Sequence, residues 1–190
     1  FKGEKPVVAH INQVWFAPSE TFIYNYIVGL HSFQPVCISW EQNNKELFPF
    51  PEKDMYCLDQ KRFSLTWIFN SIYKRIKGID YYFKDILELR KARIIHAHFG
   101  PHGVYAIQAK KKLNIPTITS FYGYDLSIRS VIERWMNCYA LLFKEGDLFL
   151  AEGPYMKSRL MSLGCMEKKI KIQRIAIPVN TIRFTPRKPK

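Results

Sequence analysis

Two short stretches hold the side chains best suited to chemistry. "TSFYGYDLS", Thr119 to Ser127, closes an apolar run with a phenol, a glycine and a carboxylate at Tyr122, Gly123 and Asp125. "HAHFGPHG" sets imidazoles at His96, His98 and His102 around Phe99, Gly100 and Pro101. A tyrosine hydroxyl both donates and accepts hydrogen bonds, a carboxylate can cap the next turn or helix, and glycine lets backbone come close to a ligand. Imidazoles at such spacing can bind zinc, but no carboxylate or cysteine nearby completes a ligand set. No metal is expected, and His98, nearest the end of its strand, is read as lining a crevice.

The loop "NQVWFAPSE" has no glycine, so the G-x-G-x-x-G dinucleotide fingerprint is absent. A Walker lysine motif and a G-x-S-x-G elbow are also missing, which removes support for P-loop phosphoryl transfer and serine hydrolysis. Ser19 fits a helix N-cap and Glu20 fits the positive end of the helix dipole.

These stretches lie at strand ends. "PVVAHINQV", "QPVCISW", "MYCLD", "RIIHAHF", "PTITSF", "DLFLA" and "KIKIQRIAI" read as strands, with helical patterns between most of them. Such alternation predicts an α/β, Rossmann-like parallel sheet with helices on both faces and right-handed crossovers. Gly100–Pro101, Gly123 and Gly153–Pro154 each follow a strand, so the same turn device recurs along the carboxyl edge, where parallel sheets hold ligands.

The 190 residues are 47% hydrophobic and 15% aromatic, enough for one domain with a sizeable core. Cys37, Cys57, Cys138 and Cys165 form no C-x-x-C pair and sit in apolar segments, as reduced buried thiols do, so a reducing, cytoplasmic compartment is expected. No apolar run reaches the about 18 residues of a membrane span, and no signal-peptide core opens the chain. Phe1 in place of an initiator methionine suggests a piece of a longer protein.

The net charge of +13 is uneven. Residues 61–93 carry 9 basic and 3 acidic groups, and residues 153–190 carry 10 and 1. This surplus suits an acidic partner domain, anionic lipid or phosphorylated substrates; nucleic acid is disfavoured, because no aromatic RNA-reading motif accompanies it. In "KRFSLTWIFNSIYKRIKG", Leu65, Ile68, Phe69, Ile72 and Ile76 fall at helical spacing. Such a stripe is expected to be core, with an interfacial helix lying on a membrane as the alternative.

Three stretches, in order and spacing, resemble the N-terminal half of family-4 glycosyltransferases, of the kind that builds bacterial polysaccharides such as colanic acid. They are "SETFIYNYI", "IIHAHFGPHGVYAIQAKKKLNIPTITSFYGYDLS" and "MKSRLMSLGCMEKKIKIQRIAIPVNTIRF". The resemblance implies a GT-B fold, two Rossmann-like domains facing across a cleft, with a nucleotide-sugar donor held mainly by a C-terminal domain. Residues 1–185 would then be the acceptor-side domain and 186–190 the start of the interdomain link. It also implies retaining transfer of a sugar, without a metal cofactor, to a glycan or lipid-linked acceptor.

Many members place a donor-contacting histidine where this chain has Tyr122, so Tyr122 becomes the catalytic candidate. Ser19, Glu20, His98, Phe99, Gly100, Gly123, Asp125 and Arg134 become substrate-binding candidates, Arg134 because some relatives bind an anionic acceptor group near that position. Pro178 departs from a frequent aspartate. The domain alone is expected to be inactive. Two other readings share these residues: a non-enzymatic basic membrane-binding module, and an epimerase or phosphorylase on the same fold.

Overall fold

The computed structural model describes residues 5–15, 17–176 and 185. Pro178 and the expected link at 186–190 lie outside them. Seven strands form one sheet: β1 (Val7–Ile11), β3 (Gln34–Ser39), β5 (Met55–Cys57), β6 (Ile94–His98), β7 (Thr117–Phe121), β8 (Leu148–Ala151) and β9 (Ile170–Ile172). The order is β5-β3-β1-β6-β7-β8-β9 and every neighbouring pair is parallel. Two short strands, β2 (Val14–Trp15) and β4 (Glu41–Gln42), pair separately beyond the ends of β1 and β3.

The helices are α1 (Thr21–Val28), α2 (Leu65–Lys77), α3 (Tyr81–Leu89), α4 (Gly100–Leu113), the single turn α5 (Tyr124–Ser127), α6 (Arg129–Glu145) and α7 (Pro154–Ser162). Strand periodicity sorts them onto two faces. Ala9, Ile11, Val36, Ile38, Ile95 and Ala97 face α3 and α4 through Phe83, Leu87, Ala106 and Ala109. The intervening Cys37 faces Ile23 and Ile27 of α1. His10, His96 and His98 alternate with that first set, so the pleat turns them to the α1 side. Register does the rest, because β1 and β6 pair His10 directly with His96.

Several expectations need correction. Ser19 is not an N-cap: Pro18–Glu20 forms a 3₁₀ turn, and α1 starts after Glu20 with no side-chain cap. Proline suits the start of that turn, where its missing N–H would be unpaired in any case. The α2 stripe is not core; no residue of α2 is buried. The four cysteines are all free, but Cys57 is exposed and Cys138 only half-buried.

Candidate functional site

The loops after β1, β6 and β7 meet at the carboxyl edge of the sheet around a cavity of about 430 Å³. Aromatic rings make much of its wall: Phe22 at the start of α1, Phe99 after β6, and Tyr122 and Tyr124 after β7. Asn12, Gln13, Ser19, Glu20 and His102 supply polar groups, and Pro101 completes the lining. Apolar walls with a few convergent polar groups are the usual make-up of a small-molecule site.

Tyr122 stands at the centre. Its ring lies edge-on to Phe22 and Phe99, at 4.9 and 5.1 Å between centroids, and its hydroxyl is 2.9 Å from His98 Nδ1. Burial raises its pKa, so it is a neutral phenol. It also borders a small second cavity beside Ser120 and Glu152, and so acts as a partition between the two. Phe99 reaches the wall from a left-handed backbone, φ 71°, which bulky residues seldom adopt.

Among the described residues, Glu20 is the one acidic group lining the main cavity, and no lysine or arginine lines it. Its carboxylate accepts from Asn12 Nδ2 at 2.7 Å, and burial raises its pKa despite that bond. Asn12 is itself fixed, donating to the Val14 carbonyl and accepting from the Gln13 N–H. A lining without cations among the described residues does not suit a diphosphate. It suits a neutral, hydroxyl-rich ligand, with Glu20 and the Tyr122 hydroxyl as hydrogen-bonding groups.

Behind Tyr122, His10 Nδ1 is 3.1 Å from His98 Nε2, and His96 Nε2 is 2.7 Å from Ser120 Oγ. Burial drives all these imidazoles toward neutrality: His96 falls to about 3, while His10 and His98 lie well below the usual range, helped by the charge of neighbouring imidazoles. Metal-ligating atoms of His10, His96 and His98 lie within 4.8 Å of one another, the one such group among the described residues. His102, weighed as a ligand from sequence, instead hydrogen-bonds the His98 carbonyl through Nδ1 at 2.6 Å and faces the cavity.

The expected site residues therefore divide. Ser19, Glu20, Phe99 and Tyr122 line the cavity. His98 does not; it is fully buried and supports Tyr122 from behind. Gly100 is also buried, because a Cβ there would lie 2.5 Å from the Tyr139 hydroxyl, so its smallness serves packing. Asp125 is fully buried and accepts from the N–H groups of Gly100, at 2.8 Å, and Tyr122, at 3.3 Å. It ties the β6 and β7 loops together, and burial raises its pKa to about 6.

Gly123 meets an open space but needs its φ of 101°. Arg134 is exposed on α6 and does not line the cavity. Asn12, Gln13, Phe22, Pro101, His102 and Tyr124 are lining residues that sequence reasoning did not propose. The polar pair Asn12–Gln13, directly after the apolar run of β1, was the signal available for two of them.

Residues 49–180 match the sequence profile of Glycosyltransferase Family 4. A 99-residue stretch is 34% identical to the colanic acid biosynthesis glycosyltransferase WcaL of Escherichia coli, covering 51% of this chain and 24% of that protein. An 88-residue stretch is 32% identical to the amylovoran biosynthesis glycosyltransferase AmsK of Erwinia amylovora, covering 45% and 22%. Among solved structures, Anabaena Alr3699/HepE in complex with UDP and glucose superposes with a TM-score of 0.69 at 11% identity, over 94% of this chain and 47% of that one. The lipopolysaccharide outer core galactosyltransferase WaaB gives 0.64 at 16%, over 93% and 47%. Neisseria meningitidis UDP-GlcNAc 2-epimerase gives 0.59 at 16%, over 87% and 44%, so the fold alone does not separate transferases from epimerases. The chain spans about half of these structures.

Proposed function

The chain belongs to glycosyltransferase family 4, and from that premise we propose that it is the acceptor-side domain of a retaining glycosyltransferase of cell-surface polysaccharide synthesis. The donor is a nucleotide sugar held mainly by a C-terminal domain that follows the link at 186–190. The acceptor is a glycan or a lipid-linked glycan, used on the cytoplasmic side at the inner face of the membrane. Curated relatives assigned to polysaccharide synthesis favour this over the epimerase or phosphorylase reading.

The observation that carries the proposal is the aromatic cavity around Tyr122 and Glu20, which no lysine or arginine lines among the described residues. In retaining transfer the acceptor hydroxyl attacks the anomeric carbon on the face from which the nucleoside diphosphate departs. The hydroxyl proton leaves with that phosphate. No protein nucleophile is needed, so the protein's work is positioning and the stabilisation of developing charge. Here the aromatic rings would hold the sugar-like body of the acceptor, while Glu20, Asn12 and Tyr122 orient its hydroxyls. The diphosphate would be met by groups of the second domain.

No metal is required in this scheme. The imidazoles of His96 and His98 already hydrogen-bond Ser120 and Tyr122. The test is titration of the complete two-domain protein and of residues 1–190 with a panel of nucleotide sugars, followed by transfer assays with NMR of the product anomer. Donor binding by the complete protein alone, with retained configuration, is expected. Transfer by residues 1–190 alone, or an inverted product, would overturn the proposal.

A further inference from the structure

Helix α2 exposes what the rest of the fold buries. Leu65 is 86% exposed, Ile76 71% and Phe69 48%, and Ile68 and Ile72 are exposed beside them. At 100° per residue these five side chains form one stripe. The opposite face holds the helix to the domain. There Asn70 donates to Asp80 at 2.7 Å and accepts from the Tyr81 N–H, Tyr73 packs on the core, and the Lys74 ammonium lies 5.2 Å from the Tyr105 ring centroid. The apolar stripe therefore points away by construction.

Charge tells what covers it. Arg75 and Lys77 flank the stripe on its two sides, Lys61 and Arg62 precede the helix, and no acidic residue occurs between Asp59 and Asp80. Phe63, just before the helix, is 70% exposed from a left-handed backbone, φ 64°. A second copy would bring the same cations against these. An apolar stripe rimmed by cations matches the interfacial region of an anionic bilayer, where head groups meet acyl chains.

We propose that α2, with Phe63, docks on an anionic membrane surface, its stripe sunk among the lipid head groups and its four outer cations on lipid phosphates. The proposal rests on the membrane-side reading of the acceptor given above and uses nothing of the transfer chemistry. α2 follows β5, whose carboxyl end lies on the same sheet edge as the cavity loops. Docking would thus bring a lipid-linked acceptor to the edge that carries the cavity.

The experiment is flotation of the full-length protein with vesicles of phosphatidylcholine alone and with added phosphatidylglycerol, at low and high salt. The variants are L65Q/I72Q/I76Q and R75E/K77E. All these side chains are exposed, so unchanged melting is expected of both. Wild type should float only with the anionic vesicles, the first variant should lose flotation, and the second should weaken it by about fivefold or more per cation. Flotation that ignores lipid charge or both variants would overturn the proposal, and so would a dimer that the first variant dissolves. Transfer to a water-soluble acceptor, measured alongside, should be the same in all three proteins; its absence in wild type would count against the transferase reading while leaving docking to be judged by flotation.

Discussion

At the residue scale, the hydrogen-bond direction behind Tyr122 can be assigned. His10 Nε2 is buried with no partner among the described residues. A bare buried N–H is rarer than an unmet lone pair, so His10 carries its proton on Nδ1 and donates to His98 Nε2. His98 must then be protonated on Nδ1 and donate to the Tyr122 oxygen, which leaves the phenol proton free for Ser120 or a bound hydroxyl. Long-range ¹H–¹⁵N spectra should show the Nδ1–H tautomer for both imidazoles; the Nε2–H form at His98 would reverse the assignment. Tyr122→Phe in the complete enzyme removes the phenol that His98 contacts and that the proposed acceptor would use. It should lower kcat/KM by about tenfold or more, with a stability loss of about 1–3 kcal/mol from the buried group left unpaired. Steady-state kinetics and a melting curve check both. A residue that merely packs would show the stability loss with unchanged kcat/KM.

At the scale of elements, α4 reaches the sheet because two positions lack side chains. A Cβ on Gly103 would lie 2.6 Å from Thr119 Oγ1, and one on Gly100 would lie 2.6 Å from the Phe121 ring as well as against Tyr139. Gly100→Ala should therefore cost about 1–3 kcal/mol by overpacking and also displace the N–H that Asp125 accepts. Gly123→Ala should cost about the same through backbone strain alone, since nothing surrounds that Cβ. Denaturant melts give both losses, and softening the partner with Tyr139→Phe should relieve part of the first and none of the second. The seven strands of the main sheet were legible, because most are β-branched or aromatic runs ended by turn residues; the short pair β2 and β4 was not, since strands that short carry no such pattern. The orientation of α2 was not. A periodic stripe says which side chains share a face, but only Asn70 and Tyr73, packing on the other side, decide which face is turned inward. The trio of His10, His96 and His98 was equally hidden. His96 and His98 share a strand, yet His10 joins them only through the pairing of β1 with β6, which no spacing along the chain reveals.

At the scale of the whole molecule, the site rests on polar groups whose titration burial shifts. His10, His96 and His98 are kept neutral by burial, so the unfolded chain binds their protons more readily than the folded one. Their contribution is intact above the unfolded imidazole pKa of about 6.5 and is lost as pH falls below it, toward the value near 3 of folded His96. Asp125 works the other way. Its folded pKa of about 6 lies above the unfolded value, so acidification through pH 6 favours the folded state by one proton. Burial also raises Glu20 and Glu152, which adds to that offset at lower pH. Between pH 6.5 and 5 the three imidazoles outweigh Asp125, each unbalanced proton being worth about 1.4 kcal/mol per pH unit. The melting temperature should fall steadily across that window. His96→Gln, which can keep a hydrogen bond to Ser120 but cannot titrate, should flatten the fall by one proton's worth, while Asp125→Asn should steepen it. A melting temperature flat from pH 7 to 5 in the wild-type protein would mean that water reaches these imidazoles, and with it that Tyr122 is not backed by a dry, neutral relay.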